Sequence, residues 1–302
     1  MKILLLGKGG QVGWELQRSL APLGELVALA TADADFDRPD TLRPVLAAAR
    51  PEVIVNAAAY TAVDQAESEP DKAWRINAES VGVLAEEARA LGALLVHFST
   101  DYVFDGAKAT PYVEDDATRP LSVYGRTKLE GEQRIRASGA RHLVFRTSWV
   151  YSARGTNFAR TILRLARERE VLSVVDDQLG APTSAELVAD VTALAIHRLR
   201  ARAGCAVPDH GIYHLAASGR TSWHGFAAHV LQLVAARGIG LRLAPENLRA
   251  IPSAQYPLPA VRPRNSTLDT RKLADAYGLY LPDWRNHLER TMDEIIARGE
   301  QP

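Results

Sequence analysis

Tyr124 and Lys128 stand four residues apart in Tyr124-Gly125-Arg126-Thr127-Lys128, a spacing that puts a phenol and an ammonium on one helix face. The chemistry open to such a pair is proton delivery. A free tyrosine titrates at about 10 and is a weak acid-base group at neutral pH. A close positive charge favours the phenolate and brings the group nearer the useful range. The pair needs a hydride source beside it to matter, and a solvated helix face carries the same spacing with no function at all.

The hydroxyls of Ser99 and Thr100 close an apolar run in His97-Phe98-Ser99-Thr100-Asp101. If that run is a parallel strand, its end faces the ligand crevice of the sheet. At the other end of the chain, Gly7, Gly10 and Gly13 directly follow the run Ile3 to Leu6 and open a helical pattern. Glycine there lets the backbone turn sharply and approach a pyrophosphate resting on the helix N-terminus. The spacing is one step from Gly-x-Gly-x-x-Gly, with Gly9 blurring the difference, and an ordinary tight turn would use the same residues. An acid about twenty residues further on would read a ribose 2′-hydroxyl. Here the second strand ends Ala28-Leu29-Ala30-Thr31, Asp33 and Asp35 come slightly late, and Arg38 is the nearby cation. The sequence leaves NADH and NADPH open.

The elements that must position these groups follow from periodicity. Ile3 to Leu6, Leu26 to Leu29, Val53 to Val55, Leu94 to Phe98 and Leu143 to Phe145 read as strands buried on both faces. Helical patterns over Trp14 to Leu20, Leu42 to Ala49, Lys72 to Leu91 and Lys128 to Ala137 separate them. This alternation predicts an α/β fold, a Rossmann-like doubly wound parallel sheet. After Trp149 the pattern loosens: helices over 157–169, 185–199, 223–237 and 284–297, strands over 172–175 and 212–216, and a loop over 204–211. Four prolines between Ile251 and Ser266 exclude a long helix there. We expect a dinucleotide-binding domain over 1–149 with returning segments around 178–215. A smaller, interleaved C-terminal substrate domain is expected over about 150–177 and 216–302.

The 302 residues suffice for a large core. Thirty-six basic residues balance 36 acidic ones, so nothing marks the chain for nucleic acid or an anionic membrane. The lone Cys205 rules out an intrachain disulfide and reads as an incidental thiol in a reducing compartment. No run is long enough to span a bilayer, and Ile3 to Leu6 is too short for a signal-peptide core. The expectation is a soluble, cytoplasmic protein.

Taken together, the glycines, Thr100 and Tyr124-xxx-Lys128 resemble the extended short-chain dehydrogenase/reductase superfamily, whose active site is a Ser/Thr with Tyr-xxx-Lys. Longer stretches narrow the resemblance to the dTDP-4-dehydrorhamnose reductase family: 7–16, 55–64, 99–104, 146–151, 177–183 and 262–266. It runs through nearly the whole chain. The resemblance implies reduction of the C4 ketone of dTDP-4-dehydro-L-rhamnose to dTDP-L-rhamnose, the last step of dTDP-rhamnose biosynthesis, with NADPH or NADH. Tyr124 would protonate the developing alkoxide, Lys128 would lower the phenol's pKa and hold the nicotinamide ribose, and Thr100 would hydrogen-bond the ketone oxygen. It further implies that Gly7, Gly10, Gln11, Val12, Gly13, Asp35, Phe36, Ala59, Tyr60 and Thr61 line the coenzyme, with Thr100, Asp101 and Trp149 meeting the sugar. Trp149 suits core packing equally well. Arg262 and Arg264 are candidates to clamp the diphosphate.

The resemblance also implies a homodimer with magnesium at its interface, held by acids including Glu15. Glu186 and Asp190, at i and i+4, are the other candidate ligands, and oxygen-only ligation suits magnesium. A solvated acidic face is the alternative. The eight histidines show no paired ligand spacing, which argues against zinc. Two other functions share the fold. A nucleotide-sugar dehydratase or epimerase would keep the Tyr-Lys pair, but a dehydratase commonly has an acid where Tyr102 stands. A non-catalytic dinucleotide-binding subunit would have no need of Thr100, Tyr124 and Lys128.

Overall fold

The computed structural model describes residues 1–201 and 210–297. Cys205 and most of the loop expected over 204–211 lie outside the described residues. Six strands form one parallel sheet in the order β10-β5-β4-β3-β1-β2. They are β1 (Lys2–Leu6), β2 (Glu25–Leu29), β3 (Val53–Asn56), β4 (Leu94–Thr100), β5 (His142–Thr147) and β10 (Gly211–His214). The inner strands are sealed on both faces by helices, which is why they read as unbroken apolar runs. The edge strand β2 is only half-buried, against the expectation of two covered faces, because it has a neighbour on one side alone.

On the helical layers lie α1 (Gln11–Leu20), α2 (Leu42–Ala49), the short α3 (Val63–Ala66) and α4 (Pro70–Trp74), then α5 (Ser80–Leu91), α6 (Val123–Ser138) and α8 (Ala185–Ala201). The helix expected over 72–91 is not uniform: a π turn, Arg75–Glu79, separates α4 from α5. Such turns recur at functional sites, and the buried Asn77 lies in this one. Two buried clusters, one on each side of the sheet, share its strands. Ile3, Leu5, Val96 and Phe145 point to one, Leu4, Leu6, Leu95 and Val144 to the other.

The later chain adds small two-stranded pieces. β7 (Leu172–Val175) pairs with β12 (Leu248–Ile251), β6 (Val150–Tyr151) with β9 (Thr183–Ser184), and β8 (Leu179–Gly180) with β11 (Thr221–Ser222). Around them pack α7 (Phe158–Glu168), α9 (Trp223–Ala236), α10 (Arg271–Tyr277) and α11 (Trp284–Ala297). The late chain returns to the sheet twice: β10 extends its edge beside β5, and α8 lies along α1. One apolar cluster runs from Leu5 under the sheet to Trp284 and Met292. Among the described residues no helix is long and apolar enough to cross a membrane.

Candidate active site

The sheet order reverses between β1 and β3, and in an open parallel sheet the crevice at that point, beyond the strand C-termini, is where ligands bind. Gly7 leaves β1 with φ of +82°, a backbone region that side chains avoid. A Cβ on Gly13 would stand 2.0 Å from the Gly7 carbonyl oxygen, so the turn closes only with glycine at both places. Gly10 caps α1 in extended conformation with no side chain on the first-turn N–H groups. Those donors and the helix dipole suit a diphosphate. Gln11 is held from the far side, its Oε1 accepting from Ser152 Oγ and Asn157 Nδ2, each at 3.0 Å. Val12 packs against the core below.

Of the other expected coenzyme residues, Asp35 lies beyond β2, paired with Arg38 at 2.9 Å. Phe36, the next residue, is buried in the core cluster with Leu42 and Leu46. Ala59, Tyr60 and Thr61 follow β3, where Asn77 of the π turn fixes the chain. Asn77 Oδ1 accepts from Tyr60 N at 2.9 Å, and its Nδ2 donates to Tyr60 O and to Thr127 Oγ1. The segment after β3 is thus tied to the helix that carries Tyr124 and Lys128. Sequence reading passed over Asn77 because a polar residue in a helical pattern gives no signal of its own.

Ser122 starts α6 as a side-chain cap, accepting from Gly125 N at 3.1 Å. A Cβ on Gly125 would stand 2.3 Å from the Tyr102 carbonyl oxygen, so glycine lets α6 press against the turn after β4. This brings Thr100, Asp101 and Tyr124 together. Thr100 Oγ1 donates to Asp101 Oδ1 at 3.0 Å, and the rings of Tyr102 and Tyr124 meet edge to face at 5.7 Å. Burial pushes the Asp101 carboxyl up to about 6.

The electrostatics differ from the expectation of an acidified phenol. Burial pushes Tyr124 up to about 12; the Thr100 hydroxyl beside it acts downward and the Asp101 charge upward. Desolvation is the larger effect, so Tyr124 stays a neutral phenol at pH 7, the form a proton donor needs. Lys128 is 1% exposed, and burial lowers it to about 8. Its Nζ donates to Phe98 O at 2.6 Å and lies 3.1 Å from His97 Nε2.

Trp149 follows β5 with φ of +47°, rare for a bulky residue. Its half-buried indole stacks on Trp223 at 3.6 Å and 10°, so one face packs against protein whatever the other meets. Arg262, expected at a diphosphate, is closed onto Asp64. Arg264 is exposed. Beneath the β4 end lies a buried ion pair that sequence reading missed: Arg146 grips Glu132 with Nε and Nη2 at 3.0 and 2.7 Å, and Ser99 Oγ donates to the same carboxylate.

The expected magnesium ligands do not converge. Asp190 accepts from Arg18 at 2.8 Å and from Ser19 at 2.9 Å, and Glu186 is paired with Arg290 at 2.8 Å. Glu15 lies 3.7 Å from Arg18 and senses Glu186 and Glu294. Among the described residues no three His, Cys, Asp or Glu side chains form a group able to hold a metal ion. All three acids are paired with guanidinium groups, Glu15 and Asp190 with Arg18 and Glu186 with Arg290, so the residues do not fit a magnesium site within the chain.

Residues 1–297 match the family model described as RmlD substrate binding domain. A dTDP-4-dehydrorhamnose reductase of Shigella flexneri is 52% identical over 302 residues, covering 98% of this chain and 99% of that protein. The crystal structure of a dTDP-4-dehydrorhamnose reductase from Clostridium acetobutylicum superimposes with a TM-score of 0.87 at 34% identity, covering 97% of this chain and 99% of that one. A Bacillus anthracis dTDP-4-dehydrorhamnose reductase in complex with NADP gives a TM-score of 0.85 at 32% identity, with the same coverage.

Proposed function

The chain belongs to the dTDP-4-dehydrorhamnose reductase family, and on that premise we infer that its crevice reduces the C4 ketone of dTDP-4-dehydro-L-rhamnose, giving dTDP-L-rhamnose. The observation that carries the residue roles is the meeting of Thr100 and Tyr124, with Lys128 one turn along the same helix, at the C-terminal end of β4. Tyr124 gives its proton to the oxygen that becomes the new hydroxyl. Thr100, whose hydroxyl hydrogen goes to Asp101 Oδ1, would turn that hydrogen to the ketone oxygen when the sugar binds. The indole of Trp149, stacked on Trp223, forms a wall for the sugar.

Gly7, Gly10, Gln11, Val12 and Gly13 would hold the diphosphate of a nicotinamide coenzyme, and Ala59, Tyr60 and Thr61 its inner portion. The reduced nicotinamide supplies the hydride. At the tip of β2 the Asp33 carboxylate accepts from Ala30 N at 2.9 Å, and we carry both NADPH and NADH into the assay. We carry a homodimer into the same reading, on the exposed Trp14 and Leu194 of the neighbouring helices α1 and α8. Sedimentation at two protein concentrations tests it, and a concentration-independent monomer ends it.

Supplying dTDP-4-dehydro-L-rhamnose with each reduced coenzyme in turn tests the reaction. Coenzyme oxidation matched by dTDP-L-rhamnose is the expected result. An authentic substrate that leaves both coenzymes unoxidised refutes the reading.

A further inference from the structure

Trp149 stands just past Thr147, which the parallel register sets beside Thr100. It therefore borders the C-terminal end of the sheet, next to the crevice. Its backbone is left-handed, with φ of +47°, a conformation that is costly for a bulky residue and persists only where the surroundings impose it. They do so here from several sides. Trp149 O accepts from Thr183 N at 3.2 Å, and Ser148 Oγ donates to Ala181 O at 3.0 Å, so the stretch after β8 holds the backbone. A Cβ on Gly180 would stand 2.4 Å from Trp149 Cε2, so only glycine lets β8 come this close to the indole. Against the ring itself stacks Trp223, centroid to centroid at 3.6 Å and tilted by 10°.

Trp223 is fixed in its turn. β8 and β11 run antiparallel, Gly180 facing Thr221 and Leu179 facing Ser222. One step further along, Gln178 meets Trp223, and its Oε1 accepts from the indole Nε1 at 3.2 Å. An indole N–H can only donate, so the amide oxygen is the atom that faces it. The Phe158 ring of α7 packs on Trp223 as well, at 4.6 Å. Neither tryptophan is sealed in the core. Both are half-buried, whereas Phe226 and Trp284 of the same aromatic group are fully covered.

We propose that Trp223 is a positioning residue for the sugar: with Gln178 it fixes the plane of the Trp149 indole, so that the sugar ring of the ligand meets a preset wall. This rests on the reading of Trp149 as that wall. A lone indole beyond a strand end would swing about its side-chain torsions. Stacked, it loses that freedom before the ligand arrives, and binding does not have to order it. The gain falls on the sugar and leaves the dTDP portion of the ligand untouched.

Calorimetry on the full-length protein with dTDP-L-rhamnose and with dTDP separates the two portions. Trp223→Leu should weaken dTDP-L-rhamnose by about tenfold and leave dTDP within about twofold. In turnover, KM for dTDP-4-dehydro-L-rhamnose should rise by about tenfold with kcat nearly kept, as for an interaction equal in ground and transition states. The exciton couplet that two stacked indoles give in circular dichroism should vanish. Trp223→Phe, which keeps a flat ring, should recover most of the affinity. Equal loss of dTDP and dTDP-L-rhamnose marks a structural defect and overturns the proposal. So does an unchanged affinity for dTDP-L-rhamnose. Trp149→Ala separates that failure from failure of the underlying reading: if it too leaves dTDP-L-rhamnose bound at native strength, the sugar does not rest on Trp149 and both fall. Should Trp223→Leu not fold, Gln178→Leu decides by the same comparison. A loss of about threefold is expected from the one hydrogen bond removed, and no loss overturns the proposal.

Discussion

The guanidinium of Arg262 closes on both carboxylate oxygens of Asp64, Nη1 to Oδ1 at 3.0 Å and Nη2 to Oδ2 at 2.7 Å. Ala260 N adds a third hydrogen bond to the same group. Two segments 198 residues apart in the chain are joined there: the proline-rich stretch before β-bridged Asn265 and the helix that follows the Ala59–Thr61 strip. A bidentate Arg–carboxylate pair has the rigidity to hold a loop in one place. The guanidinium thereby tethers the loop that carries Arg262 to the segment after β3.

Asp64→Asn should loosen that tether. The pair is partly exposed, so the loss is roughly 0.5–1 kcal/mol in urea unfolding, with faster amide exchange over 256–264. Arg262 holds the Asp64 carboxyl below its usual range. The difference between native and variant should therefore be constant at neutral pH. It should shrink only as pH falls from about 4 through the lowered folded value. A difference that stays the same down to strongly acidic pH contradicts the tether.

Tyr124→Phe removes the only hydrogen the phenol can give. Turnover should fall by about 10²- to 10⁴-fold, with coenzyme affinity from fluorescence titration largely kept. Full activity in the variant would transfer the proton to another group.

Replacing Glu132 by Gln should cost about 3–5 kcal/mol, because it strands a guanidinium that is 3% exposed. The paired change Glu132→Met with Arg146→Leu should cost markedly less, since no charge is left unpaired. Denaturant unfolding of the three proteins settles whether the ion pair carries this strain.

Lys128 should give stability a measurable pH slope. Its folded pKa, about 8, lies below the ordinary lysine value, so between the two the unfolded chain binds the extra proton. Stability should rise with pH in that window, by up to about 1.4 kcal/mol per pH unit, before the tyrosines reverse the trend above about 10. Lys128→Met should flatten the slope. An equal slope in both proteins would mean the lysine is not the buried group responsible.

Much of the molecule was legible beforehand because it rests on local patterns. Apolar runs alternating with amphipathic stretches specify a parallel sheet wherever they occur, and Leu42–Ala49, Leu172–Val175 and Trp284–Ala297 fall where periodicity alone puts them. Glycines opening a helix after a strand, and Tyr124 one turn before Lys128, announce themselves by spacing. Partners do not. Asn56 and His97 are 41 residues apart and meet only through strand register. Asn77 reaches Tyr60 because a π turn re-aims it. Phe36 packs into the core, Asp190 pairs with Arg18 and Arg262 with Asp64, contacts that no local pattern announces.

The sequence by itself determined the α/β sheet, the glycine turn after β1 and the Tyr124–Lys128 spacing on one helix, since each is written in residues close along the chain. Only the tertiary structure decided how those groups ionise. Desolvation depends on atoms brought in from distant segments, and here it raises Tyr124 and lowers Lys128.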